Sequence, residues 1–249
     1  MTWTTSPLWA EIYDKFHPVG ESIGDVEYYL SVLGDKSRHV LEPACGNGRF
    51  MIPLLRAGHE VAGSDISADM IAVCEKNCAA EGLRPHLYTA GLATTLEPET
   101  YDAIVVPRGS LRQIDNEAEC ARAIGAFYDG LRPGGRVVID VRLLPTFEAG
   151  PPQVRFEDPH LWSQQDFHVE VGDSGRRVTI FARYEKWVNG SLADSQVHRF
   201  AIRQWDLDEV VVLLEKAGFV DLGIVADYNP IVHLDNVRNY YTINGTKPR

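Results

Sequence analysis

The segment VLEPACGNGRFMIPLL, residues 40–55, constrains the fold more than any other stretch. It reads as a short apolar strand ending in an acidic residue, Glu42. A loop of small residues follows, Ala44-Cys45-Gly46-Asn47-Gly48, and then a helix. Small residues let the backbone approach a ligand closely, and the start of the helix presents free N–H groups. Such a strand–loop–helix unit belongs in an open α/β sheet, with its ligand beyond the carboxyl ends of the strands.

The rest of the chain supports that frame. Residues 1–35 read as helical, with Ile23, Val26, Tyr29, Leu30 and Leu33 at helical spacing and Gly34 as a stop. Strands are predicted at His39–Glu42, His59–Ser64, His86–Ala90, Asp102–Val106 and Arg136–Val141. Helices lie between them: one through Met51, Leu54 and Leu55, one capped by Ser67, and one over Glu117–Leu131. After about Leu144 the rhythm breaks at Pro145, Gly150, Pro151, Pro152 and Pro159. Arg176–Val188 and Leu192–Trp205 flank Asn189-Gly190, a strong hairpin signal. A helix over Asp206–Ala217, ended by Gly218, restores the α/β pattern. Phe219–Ala226 and Asn239–Asn244 follow, joined too closely for a helical crossover, so they should pair antiparallel. The expected fold is a doubly wound, seven-stranded, mostly parallel α/β sheet, Rossmann-like, with an antiparallel last strand and an antiparallel β insert. Its parts are a helical cover at 1–35, a cofactor-binding domain at 36–145 and 205–249, and the insert at 146–204.

Charge and cysteine usage exclude several functions. The net charge is −11 and the pI is near 5.2. That argues against nucleic-acid phosphates and anionic membrane surfaces as partners. No apolar run is long enough to span a membrane, and the first residues lack a secretory pattern. Cys45, Cys74, Cys78 and Cys120 form neither a disulfide framework nor a metal-ligand set, so no metal is expected and a cytoplasmic location is. Cys74 and Cys78 share a helix face and read as small core residues.

The glycine loop allows two nucleotide readings. A dinucleotide fingerprint needs a third glycine, but the register from Gly46 and Gly48 reaches Met51. The segment instead closely resembles the glycine loop of class I S-adenosylmethionine-dependent methyltransferases, with Glu42, Ala44, Gly46 and Gly48 in the motif positions. Ala44 stands where glycine is usual. Further segments resemble the same family in order: SDISADMI (64–71), YDAIVVPRGSL (101–111), LRPGGRVVID (131–140) and LDEVVVLLEKAGFVDL (207–222). Together they span roughly three fifths of the chain.

The resemblance implies roles for individual residues. Glu42 would help hold the methionine amino group of S-adenosylmethionine, and Ala44 and Gly46 would line its methionine part. Asp65, 23 positions after Glu42, would take the ribose hydroxyls, with Ile66 and Met70 beside the adenine. Gly91, Leu92 and Ala93 stand where the family often has an acidic or amide side chain for the adenine amino group, so backbone groups would serve. Pro107 and Arg108 would sit at the methionine end. Tyr13 resembles an N-terminal tyrosine that closes over the cofactor. The product would be S-adenosylhomocysteine.

Methyl transfer from a sulfonium is an in-line displacement that depends mainly on alignment. No Pro-Pro-aromatic motif follows strand four, which disfavours nucleobase acceptors and points to a small molecule methylated on N or O. Arg108, Arg112 and Arg142 lie just past strands four and five, where they could hold an anionic group of that acceptor. The alternative is a solvated Arg112 and an Arg142 paired with a neighbouring carboxylate. Tyr13, Arg108 and Asp140 are the catalytic candidates, with Asp140 positioning an amine or accepting a proton. His17, His160 and His168 are weaker candidate bases. The resemblance implies a lid or homodimer surface in the insert. A non-catalytic binder of the same cofactor and a nicotinamide oxidoreductase are the rivals.

Overall fold

The computed structural model describes residues 5–35, 38–143, 148–172 and 175–249. The divisions expected at 35/36 and 145/146 fall on or beside residues outside this set. The N-terminal segment forms two helices, α1 (Pro7–Phe16) and α2 (Asp25–Leu33). Ser6 caps α1 by accepting from Trp9 N–H, and Gly34 ends α2. The uniform helical reading of 1–35 therefore breaks between His17 and Gly24, where Pro18 and two glycines, Gly20 and Gly24, interrupt the ladder.

The main domain runs β1 (His39–Pro43), α3 (Met51–Arg56), β2 (Glu60–Asp65), α4 (Ala68–Ala80), β3 (His86–Thr89), β4 (Tyr101–Val106), α5 (Glu117–Gly130) and β5 (Leu131–Arg142). It resumes after the insert with α6, β10 and β11, defined below. Ser67 caps α4 through Met70 N–H at 3.2 Å, as its position suggested. The turn LRPGG is already part of β5, which pairs with β4 from Leu131 across a register shift.

The insert has four strands: β6 (Gln153–Glu157), β7 (His160–Val171), β8 (Arg177–Val188) and β9 (Ser191–Arg203). They pair antiparallel in chain order. The hairpin at Asn189-Gly190 joins β8 to β9, with both residues at positive φ. The first two strands lie outside the expected hairpin. α6 (Leu207–Ala217) then opens with a capping box between Asp206 and Glu209. It leads to β10 (Val220–Ala226) and β11 (Tyr240–Thr246).

The large sheet has the order β10-β11-β5-β4-β1-β2-β3. β1 to β5 are parallel, and β11 is antiparallel to both β5 and β10. The expected α/β architecture is present. The strand order reverses between β1 and β4, so a crevice opens beyond their carboxyl ends. One face of the sheet packs Ile104, Val137 and Ile139 on α5 and α6 through Phe127 and Leu214. The other packs Val40, Ala103 and Val138 with Tyr29, Met51 and Cys74. All four cysteines are free and buried. No described helix is long and apolar enough to cross a membrane.

α1 is held between the insert and α4. Leu8, Ile12 and Phe16 pack against Trp162, Ala182 and Tyr184 of the insert. Glu11 accepts from Lys186 Nζ at 2.6 Å and from Trp162 Nε1 at 2.9 Å. The helix thereby roofs the crevice instead of lying on an outer face.

Candidate functional site

The loop from Ala44 to Gly48 sits at the mouth of the crevice. Ala44, Gly46 and Gly48 all have positive φ, at 59°, 56° and 82°. Gly48 cannot carry a side chain without collision, since a Cβ there would lie 2.8 Å from Cys74 Sγ. Ala44 adopts the same left-handed backbone with a methyl group in place, which costs roughly 1–2 kcal/mol.

Two carboxylates flank this loop. Asp65, at the end of β2, accepts Gly46 N–H through Oδ2 at 3.0 Å and Ser67 N–H through Oδ1 at 2.9 Å. It is 9% exposed, and burial pushes its pKa up. Each oxygen keeps a lone pair for a further donor, which suits two vicinal hydroxyls. Glu42, at the end of β1, is 2% exposed and its Oε2 has no hydrogen-bond partner. Burial raises its pKa well above the usual range, against the pull of the Arg49 guanidinium. A buried carboxylate oxygen without a donor is costly unless a cationic or N–H-bearing ligand meets it. The residues present therefore fit an amino acid joined to a ribose.

The crevice continues into a cleft of about 640 Å³ lined by Ala44, Ile66, Ala90, Gly91, Leu92 and Ala93 on the sheet side. Gln113, Asp115 and Glu119 line it from the segment after β4, and Arg199 and Phe200 from β9. Gly91, Leu92 and Ala93 thus share a wall with Ile66, which is 54% exposed. Met70 does not line that wall. It is 1% exposed, because its position in the first turn of α4 faces it into the protein. The insert's contribution, Arg199 to Ala201, had no sequence signal, because strand alternation alone does not say which sheet meets which cleft.

Tyr13 lies over the loop. Its ring comes within 3.8 Å of where a Gly46 Cβ would project, and it lies tilted 4.7 Å from the ring of His17. Burial raises its pKa, outweighing the charges of Arg108, Arg49 and Arg112, so it is a neutral phenol. Asp14, beside it, accepts from Asn47 Nδ2 and from Asn77 Nδ2, both at 2.8 Å. That bridge fastens α1 to the loop and to α4. Arg49 fastens α2 by a buried ion pair with Asp25. The sequence motifs assign no role to any of these five residues, although Asn47 and Arg49 lie in the glycine-loop segment.

Pro107 and Arg108 begin the 3-10 turn after β4, with Arg108 at φ 61°. Asp140 lies behind them, wholly buried. Its Oδ2 accepts from Arg108 N–H and Tyr228 OH, both at 2.7 Å. Its Oδ1 accepts from Thr242 OH at 2.8 Å and Tyr29 OH at 2.9 Å. Burial dominates these four donors and pushes its pKa up to about 6. These four protein donors fill the carboxylate, which braces the Arg108 turn and lines a small cavity with Arg112 and Arg142. Arg112 and Arg142 are partly buried beside Arg108. His168 lies exposed near Glu170, and His160 stacks on Trp162, both away from Tyr13. A wider depression of about 990 Å³, by His39, Glu60 and His86, lies at the opposite ends of the strands and meets none of these groups.

Comparisons with known proteins agree with this geometry. Residues 40–135 match the family described as a methyltransferase domain. The glycine/sarcosine N-methyltransferase of Aphanothece halophytica is 25% identical over 92% of this chain and 83% of its own. A sugar N-methyltransferase from Streptoalloteichus sp ATCC 53650 has a TM-score of 0.77 at 20% identity, covering 100% of this chain and 95% of its own. An S-adenosylmethionine-dependent methyltransferase from Clostridium acetobutylicum ATCC 824 has a TM-score of 0.76 at 16% identity, covering 97% and 98%. At such identities the structural likeness speaks for the fold.

Proposed function

We propose that this chain, a class I S-adenosylmethionine-dependent methyltransferase, transfers methyl to a nitrogen of a small-molecule acceptor. The observation that carries the reading is the pair of carboxylates at adjacent strand ends, one of them with an orphaned buried oxygen, under the Tyr13 roof. Glu42 is suited to the methionine amino group and Asp65 to the ribose hydroxyls. Gly91, Leu92, Ala93 and Ile66 would wall the adenine. Bound S-adenosylmethionine supplies a methyl group made electrophilic by its sulfonium.

The chain's own residues align and enclose. Pro107 and Arg108, braced by Asp140, border the place where the acceptor must approach. α1 and the insert cover it and exclude water. A neutral amine attacks with its own lone pair and sheds its proton afterwards, so no strong base is required. The two N-methylating relatives support nitrogen over oxygen. Met51, where a dinucleotide binder needs glycine, packs into the core against Gly63, which opposes the nicotinamide reading. Four buried free thiols suit a reducing cytoplasm.

The test is calorimetric titration with S-adenosylmethionine, S-adenosylhomocysteine and NAD, on the wild type and on Asp65→Ala. Both adenosyl ligands should bind the wild type, and the variant should lose tenfold or more in affinity, the size of about 1.4 kcal/mol. Tight NAD binding without adenosyl binding would reject the reading.

A further inference from the structure

We propose that Arg112 and Arg142, completed by Arg108, form a seat for an oxyanion, a carboxylate or phosphate group carried by the acceptor. This rests on the methyl-transfer reading, which supplies the acceptor, and names its chemical class.

Arg112 and Arg142 line a small cavity with Gly109 at the carboxyl ends of β4 and β5, and the charges of Arg108 and Arg112 reach Tyr13. The turn that carries Arg108 and Arg112 is pressed onto Arg142. Gly109, at φ 72°, approaches so closely that a Cβ would sit 2.6 Å from Arg142 Cβ. Arg142 lies 5.8 Å over the Tyr240 ring. Burial and the charges of Arg142 and Arg108 push the Arg112 pKa down to about 10.

Among the described residues, none of these three side chains makes an ion pair or a hydrogen bond. Several other arginines do find carboxylates: Arg49 with Asp25, Arg56 with Glu81, Arg132 with Asp102, and Arg203 with Glu209. In a chain of net charge −11, three neighbouring guanidiniums without an ion pair among the described residues leave positive charge uncompensated at one rim. Two carboxylates adjoin them. Asp140 is filled by four donors. Asp166, on β7, feels the Arg112 charge but makes no ion pair, and burial raises its pKa. Like charges gathered out of water are unfavourable, and a bound anion reverses the sign of that cost. Guanidinium forks match planar or tetrahedral oxyanions through paired N–H donors.

Acetate, inorganic phosphate, chloride and methylammonium would be titrated into the protein loaded with S-adenosylhomocysteine. The wild type should bind acetate or phosphate saturably and in preference to chloride, and the preferred oxyanion identifies the acceptor's anionic group. Arg112→Gln and Arg142→Gln should each weaken that binding about tenfold or more, the value of a charged hydrogen bond. Their unchanged affinity for S-adenosylhomocysteine shows that the fold is kept. Equal binding of chloride, unaltered binding in both variants, or no saturable oxyanion binding would overturn the seat. Failure of S-adenosylhomocysteine to bind the wild type would instead overturn the methyl-transfer reading, and the oxyanion titrations on the unloaded protein would still judge the seat.

Discussion

Arg108 donates its backbone N–H to Asp140 Oδ2 at 2.7 Å, joining the ends of two adjacent parallel strands. The same carboxylate collects Tyr29 from α2, Tyr228 from the segment after β10, and Thr242 from β11. One buried side chain thereby fixes the turn that presents Arg108 to the crevice in a left-handed backbone that arginine rarely adopts. Position is the main thing a methyl-transfer site supplies, so this brace connects the core to the chemistry.

Asp140→Asn should therefore lower turnover while leaving cofactor affinity nearly intact. It should also change how stability depends on pH. The carboxyl is held at about 6 in the fold, above the ordinary 3.8 of an aspartate. A raised folded value means that its stabilising contribution is complete below the unfolded pKa and is lost as pH rises through 6. The stability of the wild type relative to the Asn variant should fall by up to about 3 kcal/mol between pH 4 and 7. Urea denaturation at several pH values measures it, and a constant difference would reject the assignment.

Much of this site could be read locally. The loop from Glu42 to Gly48, Asp65 at the end of β2, and the Ser67 cap are each defined by neighbours in sequence. The Asp140 brace is not, because its side-chain partners lie 111, 88 and 102 positions away. The bridge from Asp14 to Asn47 and Asn77 is hidden for the same reason. Strands β6 and β7 fall inside the expected insert at 146–204 but without boundaries of their own, because proline-rich flanks and exposed residues blur the alternation that marks a half-buried strand. The burial of Met70 is not legible either, because a first-turn helix residue points to the crevice or to the interior and only packing decides.

Glu42→Gln should move stability and binding in opposite directions. The wild-type carboxylate is buried with one oxygen unpartnered, and its pKa is raised well above normal. A raised folded value means that stability is lost as pH rises from the unfolded pKa toward the folded one, so the neutral amide should leave the ligand-free protein as stable or more stable at pH 7. Affinity for S-adenosylmethionine should drop about tenfold or more, since a charged hydrogen bond is worth roughly 1.5–3 kcal/mol. Thermal melts with and without the ligand give both quantities. A variant that binds as tightly as the wild type would remove Glu42 from the amino-group site.

Two loop substitutions should differ in sign. Ala44 carries φ 59°, so Ala44→Gly should relieve local strain and raise stability by about 0.5–1 kcal/mol after the entropy of the unfolded chain is counted. Gly48→Ala adds a Cβ 2.8 Å from Cys74 Sγ at φ 82° and should cost about 1–3 kcal/mol. Adding Cys74→Ala should recover the steric share of that loss and leave the backbone share, so the double variant would be less destabilised than additivity requires. Strict additivity would mean that the collision is absent.

Asp14→Ala tests whether the α1 roof controls exchange of the cofactor. Asp14 Oδ1 holds both Asn47 Nδ2 and Asn77 Nδ2, and Asn47 Nδ2 also donates to the His17 carbonyl at 2.8 Å. The methyl group of alanine cannot accept either bond, yet the apolar contacts of Leu8, Ile12 and Phe16 with the insert remain. Global stability should change by about 1–2 kcal/mol, within the cost of two part-buried hydrogen bonds. The larger effect should fall on the loop, because α1 then stays on the insert but holds Asn47 only through the His17 carbonyl. Dissociation of S-adenosylhomocysteine should accelerate about tenfold, and association should change little, as is usual when a contact that closes a site is cut. Stopped-flow release, followed by the fluorescence of Trp9 near Tyr13, reads the rate directly. If the off-rate is unchanged while stability falls, the Asp14 bridge serves the fold alone and the roof opens elsewhere.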